Sequence, residues 1–160
     1  MAKKFKWKAG DLFVIPLINK KLCIGQVLDL QMPNIVRIAL YDKVIDNINY
    51  NNLNRLNQFV KLNNLISLIA TSTEKLDNKE WKVIGNKDVE IPISKYPNEE
   101  FRSKGWVGAI HYDSGLVEDF INSFFSLLPW DDWHNPNFLD EFLIDPNIKP
   151  ENLLYIKANK

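Results

Sequence analysis

WKAGDLFVIPLINKKLCIGQVL, residues 7–28, is the stretch from which the architecture follows. It holds a Gly10-Asp11 corner, an apolar run with one proline, a polar turn at Asn19 to Lys21 and a second apolar run interrupted by Gly25. Two short apolar runs around a few polar residues read as a β-hairpin. Glycine accepts positive φ and aspartate bonds nearby backbone, so Gly10 and Asp11 supply turn chemistry at the entrance. From Leu12 to Leu17 both strand faces are apolar, which predicts a strand covered on both sides. Pro16 has no N–H for a central ladder and places that strand at an edge or a bulge.

Working outward, NIVRIALY (Asn34 to Tyr41) and LISLIA (Leu65 to Ala70) read as buried strands by their β-branched content. Arg37 interrupts the first of these, either solvated or paired with a carboxylate such as Asp42 or Asp29. Further strands are expected at Glu80 to Gly85 and at Trp106 to Tyr112, with an extended piece at Val89 to Ile93 inside a surface loop from Asp88 to Lys104. Lys3, Lys4, Lys6 and Lys8 alternate with Phe5 and Trp7, the period of a strand with one wet face. Residues 46–64 are rich in asparagine and read as an irregular connection with room for a short helix.

The last third is helical. Asp113 or Ser114 caps a helix whose apolar face runs from Leu116 to Leu128 and which Pro129 stops. A second, shorter helix is expected from Asn135 as cap and Pro136 at the first helical position, with Phe138, Leu139, Phe142 and Leu143 inward and Pro146 at its end. The fold class is therefore α+β: a curved antiparallel sheet or partly open SH3-like barrel of roughly five to seven strands, packed by two C-terminal helices. Residues 1–160 form a single domain, mainly β over 1–112, helical over 113–145, with a tail over 146–160 that carries a candidate closing strand at Leu153 to Ile156.

With 160 residues, the chain is long enough to bury a core without staples. Its one cysteine, Cys23, excludes an internal disulfide and reads as a buried structural thiol. No apolar run approaches the roughly 20 residues of a membrane span, and MAKKFKWK lacks an apolar signal region, so cytoplasm is the expected location. The formal net charge of zero conceals an asymmetry. Asp113, Glu118, Asp119, Asp131, Asp132, Asp140, Glu141 and Asp145 fall in a segment without lysine or arginine, which gives it a formal charge of −8. Asymmetry of this kind bears on partners rather than on fold.

The most unusual chemistry lies in LLPWDDWHNP, residues 127–136. Asp131, Asp132 and His134 supply metal-binding atoms, yet neighbours on a loop do not converge without help from elsewhere, so no metal site is assigned. Two readings stand for Trp130 and Trp133: they seal the helices against the sheet, or they anchor a partner-binding patch beside acidic residues. That patch comprises Trp130, Asp131, Asp132, Trp133, His134, Asp140 and Glu141. His111 and Asp113 would share a strand face as a catalytic pair might, but no nucleophile motif or phosphate loop accompanies them, and no catalytic residue or cofactor is assigned.

Lys8-x-Gly10-Asp11-x-Phe13-x-Ile15-Pro16-Leu17, Gly25-Gln26-Val27-Leu28, Ala39-Leu40-Tyr41-Asp42 and Trp81-Lys82-Val83-Ile84-Gly85 together resemble the immunity protein 26 family of bacterial polymorphic-toxin systems. The likeness spans the first hundred or so residues, with a looser fit around Pro129 to Trp133. It implies a non-enzymatic cytoplasmic protein that neutralises a cognate toxin, a nuclease among the candidates, by binding it. The rival reading is an SH3-like nucleic-acid-binding module using Lys3, Lys4, Lys6, Lys8, Trp7 and Arg37. A hydrolase using His111, Asp113 or His134 is the third.

Overall fold

The computed structural model describes residues 7–48, 55, 57–58 and 60–156. Lys3, Lys4, Phe5 and Lys6, and much of the Asn-rich connection, lie outside the described residues. The opening hairpin forms as its turn chemistry requires, with β1 (Asp11–Pro16) paired antiparallel to β2 (Leu22–Met32) from Leu12↔Gln26 to Pro16↔Leu22. Leu17 N–H donates to the Lys21 carbonyl at 2.8 Å and the Asn19 carboxamide oxygen accepts from Lys21 N–H at 3.1 Å, closing the turn through Lys20 at φ 70°. β3 (Ile35–Ile45), β4 (Leu65–Ser72) and β5 (Lys82–Asn86) complete one antiparallel sheet in the order β4-β3-β2-β1-β5. A short helix, α1 (Glu74–Asp77), follows β4, and a longer one, α2 (Ser114–Phe124), follows the irregular stretch after β5. The fold is α+β with a partly open sheet.

β1 lies between β2 and β5 rather than at an edge. Pro16 is nevertheless harmless there, because pairing with β5 stops at Val14↔Lys82 and leaves no partner for an N–H at that position. The register also shifts between Leu12 and Phe13 opposite β5, and at three places along β2–β3. Irregularities of this kind bend a strand and increase its twist, which curves the sheet.

Both faces of the sheet are covered, as the unbroken apolar run of β1 predicts. Phe13, Ile15, Cys23, Ile38 and Leu40 point into a core completed by Val117, Phe120 and Ile121 of α2 with Trp7, Trp81 and Trp130. Leu12, Val14, Ile24, Ala39 and Tyr41 point the other way, under Val60, Ile91 and Tyr96 from the connections. Gly25 is a slot for an aromatic ring: a Cβ there would lie 2.5 Å from Phe13 Cζ. Phe13 in turn stacks on Trp81 with centroids 5.5 Å apart. Gly10, at φ 90°, ties three strands, its N–H donating to the Val27 carbonyl at 2.8 Å and its carbonyl accepting from Lys87 N–H at 3.0 Å.

Three sequence expectations are corrected. Trp106 to Tyr112 is not a strand, because Gly105, Trp106 and Gly108 all take positive φ (63°, 68° and 96°), and only Tyr112 bridges β4, at Thr71. The first helix ends at Phe124, not Leu128: Ser126 sits at φ 64° while Leu127 N–H reaches the Asn122 carbonyl and Ser126 N–H the Ser123 carbonyl, the hydrogen bonds of a Schellman stop. The second helix is a 3-10 turn, Phe138–Phe142, preceded by Asn135 Oδ1 accepting from Asn137 N–H at 3.0 Å. Leu139 and Phe142 still point inward, but the segment is too short to offset the cost of nucleating an α-helix. At the expected closing strand, Leu154 makes an isolated bridge to Pro129, and Leu153 joins the core.

The outer edge of β4 is occupied rather than bare. The Ala70 carbonyl accepts from Tyr112 N–H at 3.0 Å, Ser72 N–H donates to the Tyr112 carbonyl at 3.3 Å, and the Ile66 carbonyl accepts from Ile144 N–H at 2.8 Å.

Candidate partner-binding face

The acidic segment hangs from α2. Asp113 caps that helix, its carboxylate accepting from Gly115 N–H at 3.0 Å, and the loop after the Schellman stop is tied back to it where the Ser123 hydroxyl donates to the Pro129 carbonyl at 3.1 Å. Trp130 is 1% exposed and packs on Phe120, with centroids 5.8 Å apart. Its indole N–H donates to Asp140 Oδ1 at 2.7 Å, and Lys149 both pairs with Asp140 at 2.9 Å and lies over the Trp130 ring at 5.5 Å. Asp131 is buried and accepts from Ile156 N–H at 2.8 Å, which pins the C-terminal stretch to the loop.

The patch read from sequence thus separates into two layers. Trp130 and Asp131 are buried and Asp140, with 39% of its side chain exposed, is tied to Trp130 and Lys149, whereas Asp132, His134 and Glu141 are exposed and Trp133 is half-buried against Phe138 at 5.1 Å. Asp119 of α2, with Ser123, Leu128, Pro129, Asp132 and Trp133, lines a cleft of about 220 Å³ on this face. Burial and the neighbouring Glu118 raise the Asp119 carboxyl above the ordinary aspartate range. Glu118 itself pairs with Lys75 at 3.1 Å and accepts from the Trp81 indole N–H at 3.2 Å.

A second polar assembly, only partly foreseen, surrounds Arg37 on the opposite face of the sheet. Arg37 is fully buried, its Nε and Nη2 donating to the Asp29 carboxylate at 2.6 and 2.5 Å and its Nη1 to Glu99 at 2.8 Å and the Pro97 carbonyl at 3.1 Å. Its guanidinium also lies over the rings of Tyr96 (4.9 Å) and Trp106 (5.2 Å). Burial opposes its charge, but hydrogen bonds to Asp29 and Glu99 outweigh that and raise its pKa. Arg102 and Arg37 together hold the Glu99 carboxyl down to about 2. Asp29 is one of the two partners the sequence offers; Glu99, Pro97 and the two rings belong to a loop whose path the sequence does not reveal. The signal that was legible is a single charge inside an apolar strand, since a buried arginine needs partners.

These placements bear on the rival readings. Arg37 is engaged internally and Trp7 is 6% exposed, so neither presents a surface to a phosphate backbone. His111 and Asp113 do not share a strand, and one Asp113 oxygen already caps α2. Cys23 is completely buried, its thiol donating to the Tyr41 carbonyl at 3.4 Å, and burial, then the Asp42 charge, push its pKa up, as befits a structural thiol. Among the described residues no three His, Cys, Asp or Glu side chains come together as metal ligands, and no helix is long and apolar enough to cross a membrane.

Comparison with known families matches residues 8–100 to Immunity protein 26. The chain belongs to the immunity protein 26 family, and β1–β5, the Arg37 assembly as far as Glu99 and the Phe13–Gly25–Trp81 stack all lie within the matched span. Comparison with curated proteins and with solved structures finds no match.

Proposed function

We propose that this protein is a cytoplasmic, non-enzymatic inhibitor that neutralises a cognate bacterial toxin by binding it directly, with the acidic face around Asp132, Trp133, His134 and Glu141 as the contact surface. Membership of an immunity protein family carries the first half of this reading. The second half is supported by charge: the face belongs to a segment of eight carboxylates and no lysine or arginine. An enzyme acting on nucleic acid presents a basic cleft, and a negative surface meeting it speeds encounter and excludes wrong partners. A nuclease is therefore the toxin class that fits best.

Co-expression with the product of any toxin gene found adjacent to this one tests the role: restored growth supports it, and unrelieved killing refutes it. Charge reversal at Asp132 and Glu141 tests the face, since both are exposed and neither is used internally among the described residues. Association slows in that variant, most at low ionic strength, where screening is weakest. Asp131 and Asp140 are unsuitable for this test because their replacement also disturbs bonds to Ile156 and Trp130.

A further inference from the structure

We infer that the cleft between α2 and the loop after it is an anchoring pocket for one arginine side chain of the partner protein, with Trp133 as its stacking wall and the Asp119 and Asp132 carboxylates as acceptors. This inference rests on the toxin-binding reading above and narrows it to one pocket and one kind of side chain.

The argument starts from what each acid of the segment does. Asp113 caps α2, Glu118 binds Lys75 and Trp81, Asp131 holds Ile156 N–H, Asp140 holds Trp130 and Lys149, and Asp145 accepts from Asn147 N–H at 2.9 Å. Asp119, Asp132 and Glu141 make no hydrogen bond or ion pair among the described residues. Two of these three unpaired carboxylates, from separate elements, converge on the same cleft beside Trp133.

The cleft is also electrostatically unbalanced. Asp119 adjoins Glu118, whose charge is already matched by Lys75, and no cation occurs in the sequence from 113 to 145. Asp119 stands exposed at the rim, where local desolvation and that neighbouring charge work against its carboxylate; a cation seated beside Asp119 and Asp132 offsets both by favouring the ionised form. A cleft with apolar walls concentrates such a potential. Leu128, Pro129 and Trp133 form those walls here.

The occupant follows from the wall and the acceptors. A metal ion finds two carboxylates at this place and no third His, Cys, Asp or Glu side chain among the described residues. A lysine ammonium offers a point charge, whereas a planar guanidinium stacks on an indole and meets a carboxylate through two parallel hydrogen bonds. Phe138 packs against the half-exposed Trp133 and holds the wall in place. Arginine is also the side chain that a nucleic-acid-binding cleft presents in quantity.

The test has two readouts on the full chain. First, N-acetyl-arginine amide is titrated while the Trp133 indole resonance is followed by NMR, with N-acetyl-lysine amide alongside. Saturable movement of that resonance, stronger for arginine, abolished in D119N/D132N and kept in D88N, at an exposed acid outside this face, is expected. Second, affinity for the toxin that the protein neutralises is measured for the same variants. D119N/D132N weakens binding by at least about tenfold, while D88N changes it by less than about threefold. If the wild type neither binds nor protects, the neutralising role fails, and the arginine titration alone decides the pocket. A Trp133 resonance unmoved by arginine overturns the pocket, as does a double variant that binds the toxin as tightly as wild type. Should the double variant unfold, D132N, at an exposed loop position, carries the same expectations.

Discussion

Replacing Arg37 by methionine should cost about 3–5 kcal/mol of folding free energy, the range seen when one partner of a buried ion pair is removed. Arg37 is wholly buried, and its loss strands the carboxylates of Asp29 and Glu99 together with the Pro97 carbonyl. Asp29 and Glu99 keep 32% and 19% of their side-chain exposure, so water still reaches them and the lower end, about 3 kcal/mol, is expected. A domain of this kind has roughly 5–15 kcal/mol in hand, so the variant remains foldable. With a urea slope of about 1–3 kcal/mol/M, the unfolding midpoint should fall by roughly 1–3 M. Arg37→Lys keeps the charge but loses the paired donors to Asp29 and should fall between variant and wild type. A methionine variant within about 1 kcal/mol of wild type would refute the reasoning, because it would mean that the cluster behaves like a solvated surface pair.

Gly25→Ala places a methyl 2.5 Å from the Phe13 ring, which cannot retreat because it lies flat on Trp81; a loss of about 1–3 kcal/mol is expected, and adding Phe13→Leu should recover part of it in a double-mutant cycle by urea melts. Glu99, with its carboxyl held at about 2 by Arg102 and Arg37, contributes stability above the ordinary glutamate pKa that is lost as pH falls from about 4.5 toward 2. Glu99→Gln should flatten the unfolding midpoint over that interval, and an unchanged profile would contradict the pairing. Asp119 runs the opposite way, its pKa raised in the folded state, so its ionised form opposes folding at neutral pH. Asp119→Asn should therefore raise the thermal midpoint at pH 7, by a small amount since most of the carboxylate remains in water, and leave it unchanged at pH 3.

Local rules carried much of this fold. The Gly10-Asp11 corner, the hairpin turn at Asn19 to Lys21 and the two-sided burial of β1 were legible because each depends on residues close in sequence. Pro16 misled, since the rule concerns the missing N–H while the structure simply ends the β5 pairing two residues earlier. Trp106 to Tyr112 looked like a strand by composition, but positive φ at Gly105, Trp106 and Gly108 dominates, and Trp106 at φ 68° is a conformation no propensity announces. Ser126 ended α2 without the glycine that usually signals such a stop. At the candidate face, sequence pointed to the right segment but could not tell Trp130 from Trp133 or Asp131 from Asp132, because that depends on whether Asp140, Lys149 and Ile156 come within reach. In the sequence Asp119 is only one of eight acids in its segment, and its meeting with Asp132 requires the fold.

The hydrogen bonds that Tyr112 and Ile144 make to the rim of β4 have a bearing on how concentrated this protein can become. An open strand of the composition LISLIATS would be a template on which further copies could stack into fibres. With the backbone at Ile66, Ala70 and Ser72 already engaged, most of that template is taken up by its own chain, which disfavours stacking of further copies along this side.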